Sequence, residues 1–220
     1  MSRRLARLTL DTLADLPADA RSCVFWELDP VRRARVTEAG RGAEEKEAWL
    51  STVLLEWGSC GRVLYVDDVA AGYALYAPPV YFGGAVSLPT APPSEDAVLL
   101  ATVLVRPELT GGGLGRVLMQ SVVKDLVKRG GIRGLEAFGD LRAPAPGQPV
   151  DHEFCVLPAD YLAHVGFKTV RHHVRYPRLR LDLRSAVTWR GEVEAALERL
   201  LGAVRPPRPA TQPTPAPRQP

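Results

Sequence analysis

The sequence predicts one α/β domain built on a mixed, mostly antiparallel sheet with helices on both faces. Three observations predict it. Residues 61–79, GRVLYVDDVAAGYALYAPP, read as two strands joined by a turn near Asp67-Asp68. Residues 167–183 read as a second hairpin, its latter strand alternating Leu179, Leu181 and Leu183 with Arg178, Arg180 and Asp182. Between them an apolar run, a glycine turn and an amphipathic helix follow one another from residue 96 to 128.

The other elements follow in chain order. Residues 4–10 alternate weakly and read as a first strand, and DTLADLPADARS after it holds turn formers and one short helix. CVFWELDP is apolar and stops at Asp29-Pro30, because the residue before proline is pushed out of the helical region. In residues 44–57, Trp49, Leu50, Val53, Leu54 and Trp57 form one face of a helix, with acidic residues in its first turn. PPVYFGGAVSLPTAPPSED reads as a Pro/Gly-rich loop with one short strand. DAVLLATVLV, residues 96–105, is the near-continuous apolar run of a strand buried on both faces. The helix after it carries Leu114, Leu118, Val122 and Leu126 on one stripe. GIRGLEAFGD gives another strand, and a long loop then leads to a short helix that ends at Gly166. A final helix is expected within WRGEVEAALERLLG.

The 220 residues suffice for one domain with a sizeable core plus extensions. Apolar content of 46% and charged content of 24% describe an ordinary soluble chain. The net charge is +3, and Arg205, Arg208 and Arg218 of the tail carry that many charges, so no basic patch argues for nucleic acid. No apolar run approaches the roughly 20 residues that cross a bilayer, and the N-terminus has no apolar signal-peptide core. The three cysteines, Cys23, Cys60 and Cys155, have no CxxC spacing. A cytoplasmic location and no metal are expected, and a homodimer is an open option. The histidines are scattered, and His172 and His173 are adjacent, so on a strand they point to opposite faces.

VLVRPELTGGGLGRVLMQ, residues 103–120, carries the chemistry. A helix N-terminus leaves backbone N–H groups unpaired and bears partial positive charge, which suits a phosphate. Glycines let the backbone approach that phosphate and allow positive φ. A simple tight turn is the alternative. The nucleotide-triphosphate loop GxxxxGK[ST] is excluded because no Gly-Lys occurs, and GxGxxG fails because Gly111 and Gly113 are followed by Arg116. Val105, Pro107, Gly113 and Gly115 instead fit V-x-P-x-x-[QR]-x-x-G-x-[GA].

That pattern resembles the GNAT family of N-acetyltransferases, and YLAHVGF at 161–167 resembles the family's later helix ending in Gly-Phe. The resemblance spans about residues 4–183. It implies a domain over 1–183 with a splayed central sheet. WRGEVEAALERLLG then gives a helical extension at 184–204, and the Pro-rich, apolar-poor composition of 205–220 gives a disordered tail. The resemblance implies acetyl-CoA as acetyl donor. The pantetheine arm would pair with the backbone around Val103, Leu104 and Val105. The pyrophosphate would lie on Thr110, Gly111, Gly112, Gly113, Leu114, Gly115 and Arg116. A small-molecule or protein amine would attack the thioester directly in a ternary complex. Two positions depart from the family. Thr110 stands where it has Gln or Arg, and Tyr161 stands one residue, about 100° of helix, before its tyrosine.

The catalytic candidates are therefore several. Glu136 lies on the strand beside the acceptor groove, Glu27 follows an aromatic pair, and Tyr161 offers a hydroxyl. Cys155 falls at the family's Asn position. Glu95 and Asp96 open the central strand. Each has a plain alternative: solvated carboxylates, a core aromatic, a small buried thiol. A water relay with no dedicated base is a further option. Phe25, Trp26, Tyr73, Tyr76, Tyr81 and Phe82 line an acceptor pocket or belong to the core. Arg171, Arg175, Arg178 and Arg180 read as a solvated hairpin face or as a lure for an acidic substrate. A CoA-binding sensor or scaffold without turnover is the alternative function.

Overall fold

The computed structural model describes residues 2–142 and 155–183. The expected C-terminal helix, the Pro-rich tail and His152 lie outside the described residues. Among the described residues, eight strands run in the order β1-β2-β3-β4-β5-β8-β7, with β6 paired to β5 off this path. They are β1 (Arg3–Arg7), β2 (Gly61–Val66), β3 (Val69–Ala77), β4 (Ala97–Val105), β5 (Gly134–Asp140), β6 (Leu157–Pro158), β7 (Lys168–Arg171) and β8 (Arg178–Asp182). The helices are α1 (Leu10–Ala14), α2 (Ala18–Ser22), α3 (Pro30–Glu38), α4 (Gly42–Glu56), α5 (Leu114–Arg129) and α6 (Ala159–His164).

Pairing is antiparallel except where β4 meets β5 and β5 meets β6. The β2–β3 turn falls on Asp67 and Asp68, both at positive φ (47° and 62°), the geometry that joins twisted strands through two residues. β4 and β5 share only Ala97–Leu99 against Gly134–Glu136. β4 continues to Val105 paired to β3 alone, while the end of β5 pairs with β6 and β8. The sheet therefore splays, and β4 passes from fully buried to half-buried beyond Ala101.

Each face of the sheet has its own core. On one face Leu114, Leu118, Met119, Val122 and Leu126 of α5 pack with Leu162 and Phe167 over Leu64, Tyr76, Val98, Leu100 and Leu135. The stripe read from sequence is this face, and each fully buried Leu or Val there contributes up to about 1.5–3 kcal/mol. On the other face Leu50 and Val53 of α4 join Leu8, Leu13, Trp26, Tyr73, Leu75, Leu99 and Phe138. The strand expected within residues 78–96 is absent: that stretch forms two 3-10 turns, Pro79–Tyr81 and Gly83–Ser87. Asp29-Pro30 does not merely end a segment. Asp29 caps α3, accepting from Val31 N (2.9 Å) and Arg32 N (3.1 Å), and Pro30 fills the first helical position.

Candidate active site

The glycine loop lies where β4 ends and α5 begins. Gly113 is the N-cap in the left-handed region (φ 75°), and Gly111 is also left-handed (φ 81°). The first N–H of α5 to bond back along the chain is Val117's, to the Gly113 carbonyl at 3.1 Å. Among the described residues, the N–H groups of residues 111–116 donate to no acceptor. Gly111, Gly112 and Gly113 are exposed, and a side chain at Gly111 or Gly113 would meet nothing within 4 Å, so the space above them is open. This is a cluster of unpaired donors at the positive end of a 16-residue helix dipole. The Thr110 hydroxyl is turned away from it, donating to the Pro107 carbonyl (2.7 Å). Arg116 is exposed on the first turn, with a guanidinium nitrogen 3.5 Å from His164 Nε2.

Tyr161 reaches the same helix from α6. Its hydroxyl donates to the Gly115 carbonyl (3.2 Å), and a Cβ at Gly115 would press the tyrosine ring at 3.2 Å. Gly115 thus leaves room for the ring. Burial pushes the phenol above its ordinary range, so it stays protonated as a donor. Leu162, at the family's tyrosine position, is fully buried.

Glu136 is fully buried on β5. It pairs with Arg180 Nη1 (3.1 Å) and Arg178 Nε (3.3 Å) of β8 and accepts from Ser94 N (3.0 Å). Arg180 also grips Asp96 with two nitrogens (2.8 and 2.9 Å), and that hydrogen bonding holds the Asp96 carboxyl below the usual range. Arg178 and Arg180 are therefore not a solvated hairpin face; register places Arg180 opposite Glu136. His172 and His173 lie beyond β7 rather than on a strand, and His173 Nδ1 accepts from the N–H groups of Arg175 (3.1 Å) and Tyr176 (2.9 Å).

Glu27 and Cys155 are linked through Lys46 and Cys23, beside the core on the face of the sheet opposite α5. Glu27 is buried and ion-paired to Lys46 of α4, while its second oxygen, Oε2, has no hydrogen-bond partner. Lys46 Nζ also donates to the Cys23 carbonyl (2.7 Å). Cys23 Sγ lies 3.2 Å from Cys155 Sγ, and Trp26 Nε1 donates to the Cys155 carbonyl (2.9 Å). Hydrogen bonding from Cys155, aided by the Lys46 charge, lowers the Cys23 thiol to about 6. The same contact, with burial, pushes the Cys155 thiol up. Two glycines clamp this segment: a Cβ at Gly42 would overlap the Ser22 carbonyl oxygen, and one at Gly84 would overlap that of Phe25.

Beside the cysteines is a pocket of about 250 Å³ lined by Phe25, Ser87, Leu88, Val156, Arg175 and Tyr176. Of the six aromatic residues expected in a pocket, Phe25 lines this one. Trp26, Tyr73 and Phe82 are core on this face, and Tyr76 is core on the other. Arg175 stacks over Tyr176 and stands 3.6 Å from the buried Asp140 carboxylate. No local signal in the sequence marks Lys46, Asp140 or the meeting of Cys23 with Cys155, while Arg175, one of the arginines read from the hairpin, lines the pocket. Among the described residues, no group of three or more His, Cys, Asp or Glu is placed to hold a metal ion, and no helix is long and apolar enough to cross a membrane.

The profile of the Acetyltransferase (GNAT) family matches residues 21–145. The chain belongs to the GNAT acetyltransferase family. Solved GNAT structures share its fold at low identity. The chain is similar to a PaiA N-acetyltransferase from Thermoplasma acidophilum in complex with coenzyme A (13% identity, TM-score 0.54, 83% of this chain and 99% of that one). It is similar to an N-acetyltransferase from Staphylococcus aureus Mu50 (15%, 0.54, 83% and 99%). It is also similar to a GNAT-family acetyltransferase from Desulfovibrio desulfuricans (21%, 0.51, 83% and 99%). No curated protein matches the sequence. The mixed, mostly antiparallel splayed sheet expected of a GNAT chain is the one observed.

Proposed function

We propose that the protein transfers an acetyl group from acetyl-CoA to a primary amine in a ternary complex. The observation that carries this reading is the row of unpaired N–H groups at residues 111–116, open to solvent beside the splay of β4 from β5. Those donors would hold the pyrophosphate, and Arg116 would add charge that Thr110 lacks. The half-buried stretch Val103–Val105 would meet the pantetheine arm. Coenzyme A supplies the activated thioester; everything else falls to the chain. The pocket at Phe25, Val156 and Tyr176, on the other face, would take the acceptor.

Proton handling divides the candidates. Both Glu136 oxygens are engaged by Arg178, Arg180 and Ser94 N, and Glu27 is tied to Lys46. A carboxylate so held has little freedom to take a proton from an incoming ammonium, which favours water in that role. Tyr161 anchors α6 to α5 through Gly115. Cys155 stands beside the acceptor pocket through its neighbour Val156. Because Tyr161 and Glu136 are both occupied structurally, a second reading survives: a CoA-binding protein without turnover.

Two measurements test these readings. Acetyl-CoA at about 100 times its dissociation constant should stabilise the wild type by roughly 2.7 kcal/mol. Gly113→Asp should abolish that gain, since a carboxylate beside the donors repels the pyrophosphate. No stabilisation of folded wild type at millimolar acetyl-CoA would overturn the cofactor site. Thiol release with a panel of amines then separates the readings: turnover supports the transferase, and binding without turnover supports the sensor.

A further inference from the structure

Cys23 and Cys155 are 132 positions apart, yet their sulfurs lie 3.2 Å from each other. Cys23 caps the C-terminal end of α2, and Cys155 leads into β6. The Cys23 carbonyl is held by Lys46, the Cys155 carbonyl by Trp26, and the Ser22 carbonyl lies against Gly42. A disulfide needs sulfurs about 2.05 Å apart, so closing this pair takes roughly 1 Å of approach. We propose that Cys23 and Cys155 are a reversible thiol–disulfide pair, oxidised by peroxide, that ties the end of α2 to the entrance of β6.

The two thiols are unequal in the way the chemistry needs. Their mutual contact lowers Cys23 and raises Cys155, which makes Cys23 the readier nucleophile of the two. Cys60 is buried and pushed up to about 12, which removes it from competition. Both Cys23 and Cys155 are half-buried, open to a small oxidant. The Cys23 thiolate attacks one oxygen of hydrogen peroxide. The O–O bond breaks, leaving a Cys23 sulfenic acid and a hydroxide that takes a proton from solvent. Cys155 sulfur then attacks Cys23 Sγ, the S–O bond breaks, and the departing hydroxide takes the Cys155 proton. Two thiols and one peroxide become one disulfide and two waters.

The bond would alter the pocket, because Phe25 follows Cys23 by two residues and Val156 follows Cys155 directly, and both line it. That consequence for transfer rests on the acceptor-site reading above; the bond itself does not. The test uses the full reduced chain. It is treated with one equivalent of hydrogen peroxide, denatured, alkylated with iodoacetamide, digested and weighed. The expected product is a Cys23–Cys155 linked peptide with Cys60 alkylated, reversed by dithiothreitol and absent from Cys23→Ser and Cys155→Ser. Full alkylation of all three cysteines after peroxide overturns the proposal. So does stable sulfenic or sulfinic acid at Cys23 without the link, or a link only between chains. If the link forms and amine acetylation is unchanged, the thiol pair stands and its placement beside the acceptor falls.

Discussion

Replacing Lys46 by methionine should cost this protein more than most single changes. The Lys46 and Glu27 side chains are 6% and 1% exposed, so their charges face each other rather than water. Methionine keeps most of the apolar stem and removes the ammonium. The Glu27 carboxylate is then buried without its counter-ion, its Oε2 already lacking a hydrogen bond, and the Cys23 carbonyl loses its donor. Breaking a buried pair from one side costs about 3–5 kcal/mol. In a domain of this size each kcal/mol moves Tm by about 2–4 °C, so the expected fall is roughly 6–20 °C. Removing both charges, as Lys46→Met with Glu27→Leu, should restore most of the loss, because well-packed apolar residues replace a buried pair at little cost. Calorimetric melts of the four proteins of this cycle at neutral pH give the answer. A fall below about 2 °C in the single variant would mean that Glu27 reaches water, and the reasoning fails. It fails also if the double variant melts no higher than the single.

Three more outcomes follow from the same geometry. Tyr161→Phe loses one hydrogen bond, to the Gly115 carbonyl, and should cost about 0.5–1.5 kcal/mol while leaving acetyl transfer within a few-fold of wild type; a loss of transfer beyond tenfold would give the hydroxyl a part in the chemistry. The Cys23 thiolate should appear near pH 6 in ultraviolet absorbance and be missing from Cys23→Ser. A thiol whose folded value is about 6, against 9 when unperturbed, adds stability that is complete above pH 9 and is lost as pH falls toward 6. The stability difference between wild type and Cys23→Ser should therefore widen from pH 6 to 9, and a flat difference would contradict the assigned shift.

Local chemistry was legible and distant pairing was not. The glycine turn, the α5 stripe and the Asp67-Asp68 turn follow from residues a few positions apart, where propensity and periodicity act directly. Asp29-Pro30 carried a start signal for α3 as well as a stop for what precedes it, and only the stop was read from it. The arginines of β8 alternate with leucines and so resemble a wet face. The β5 register instead sets Arg180 opposite Glu136, a fact that belongs to two strands at once. Lys46 sits among acidic and polar neighbours in α4, and its burial follows from Glu27 across the helix packing. The approach of Cys23 to Cys155 has no local signature at all.

The stretch from Ser22 to Asp29 passes Gly42 and Gly84 at distances no other residue type permits. Its path is thus written into two positions far from itself in the chain. A family drifting toward a new acceptor cannot easily reshape this wall by inserting or deleting residues, since either would break register with both glycines. Of its side chains, Phe25 alone lines the pocket. Phe25, and facing it Ser87 and Tyr176, are where selection has freedom to act. A saturation library would therefore show near-empty columns at Gly42 and Gly84 beside broadly populated ones at Phe25 and Ser87: a fixed course with exchangeable fittings.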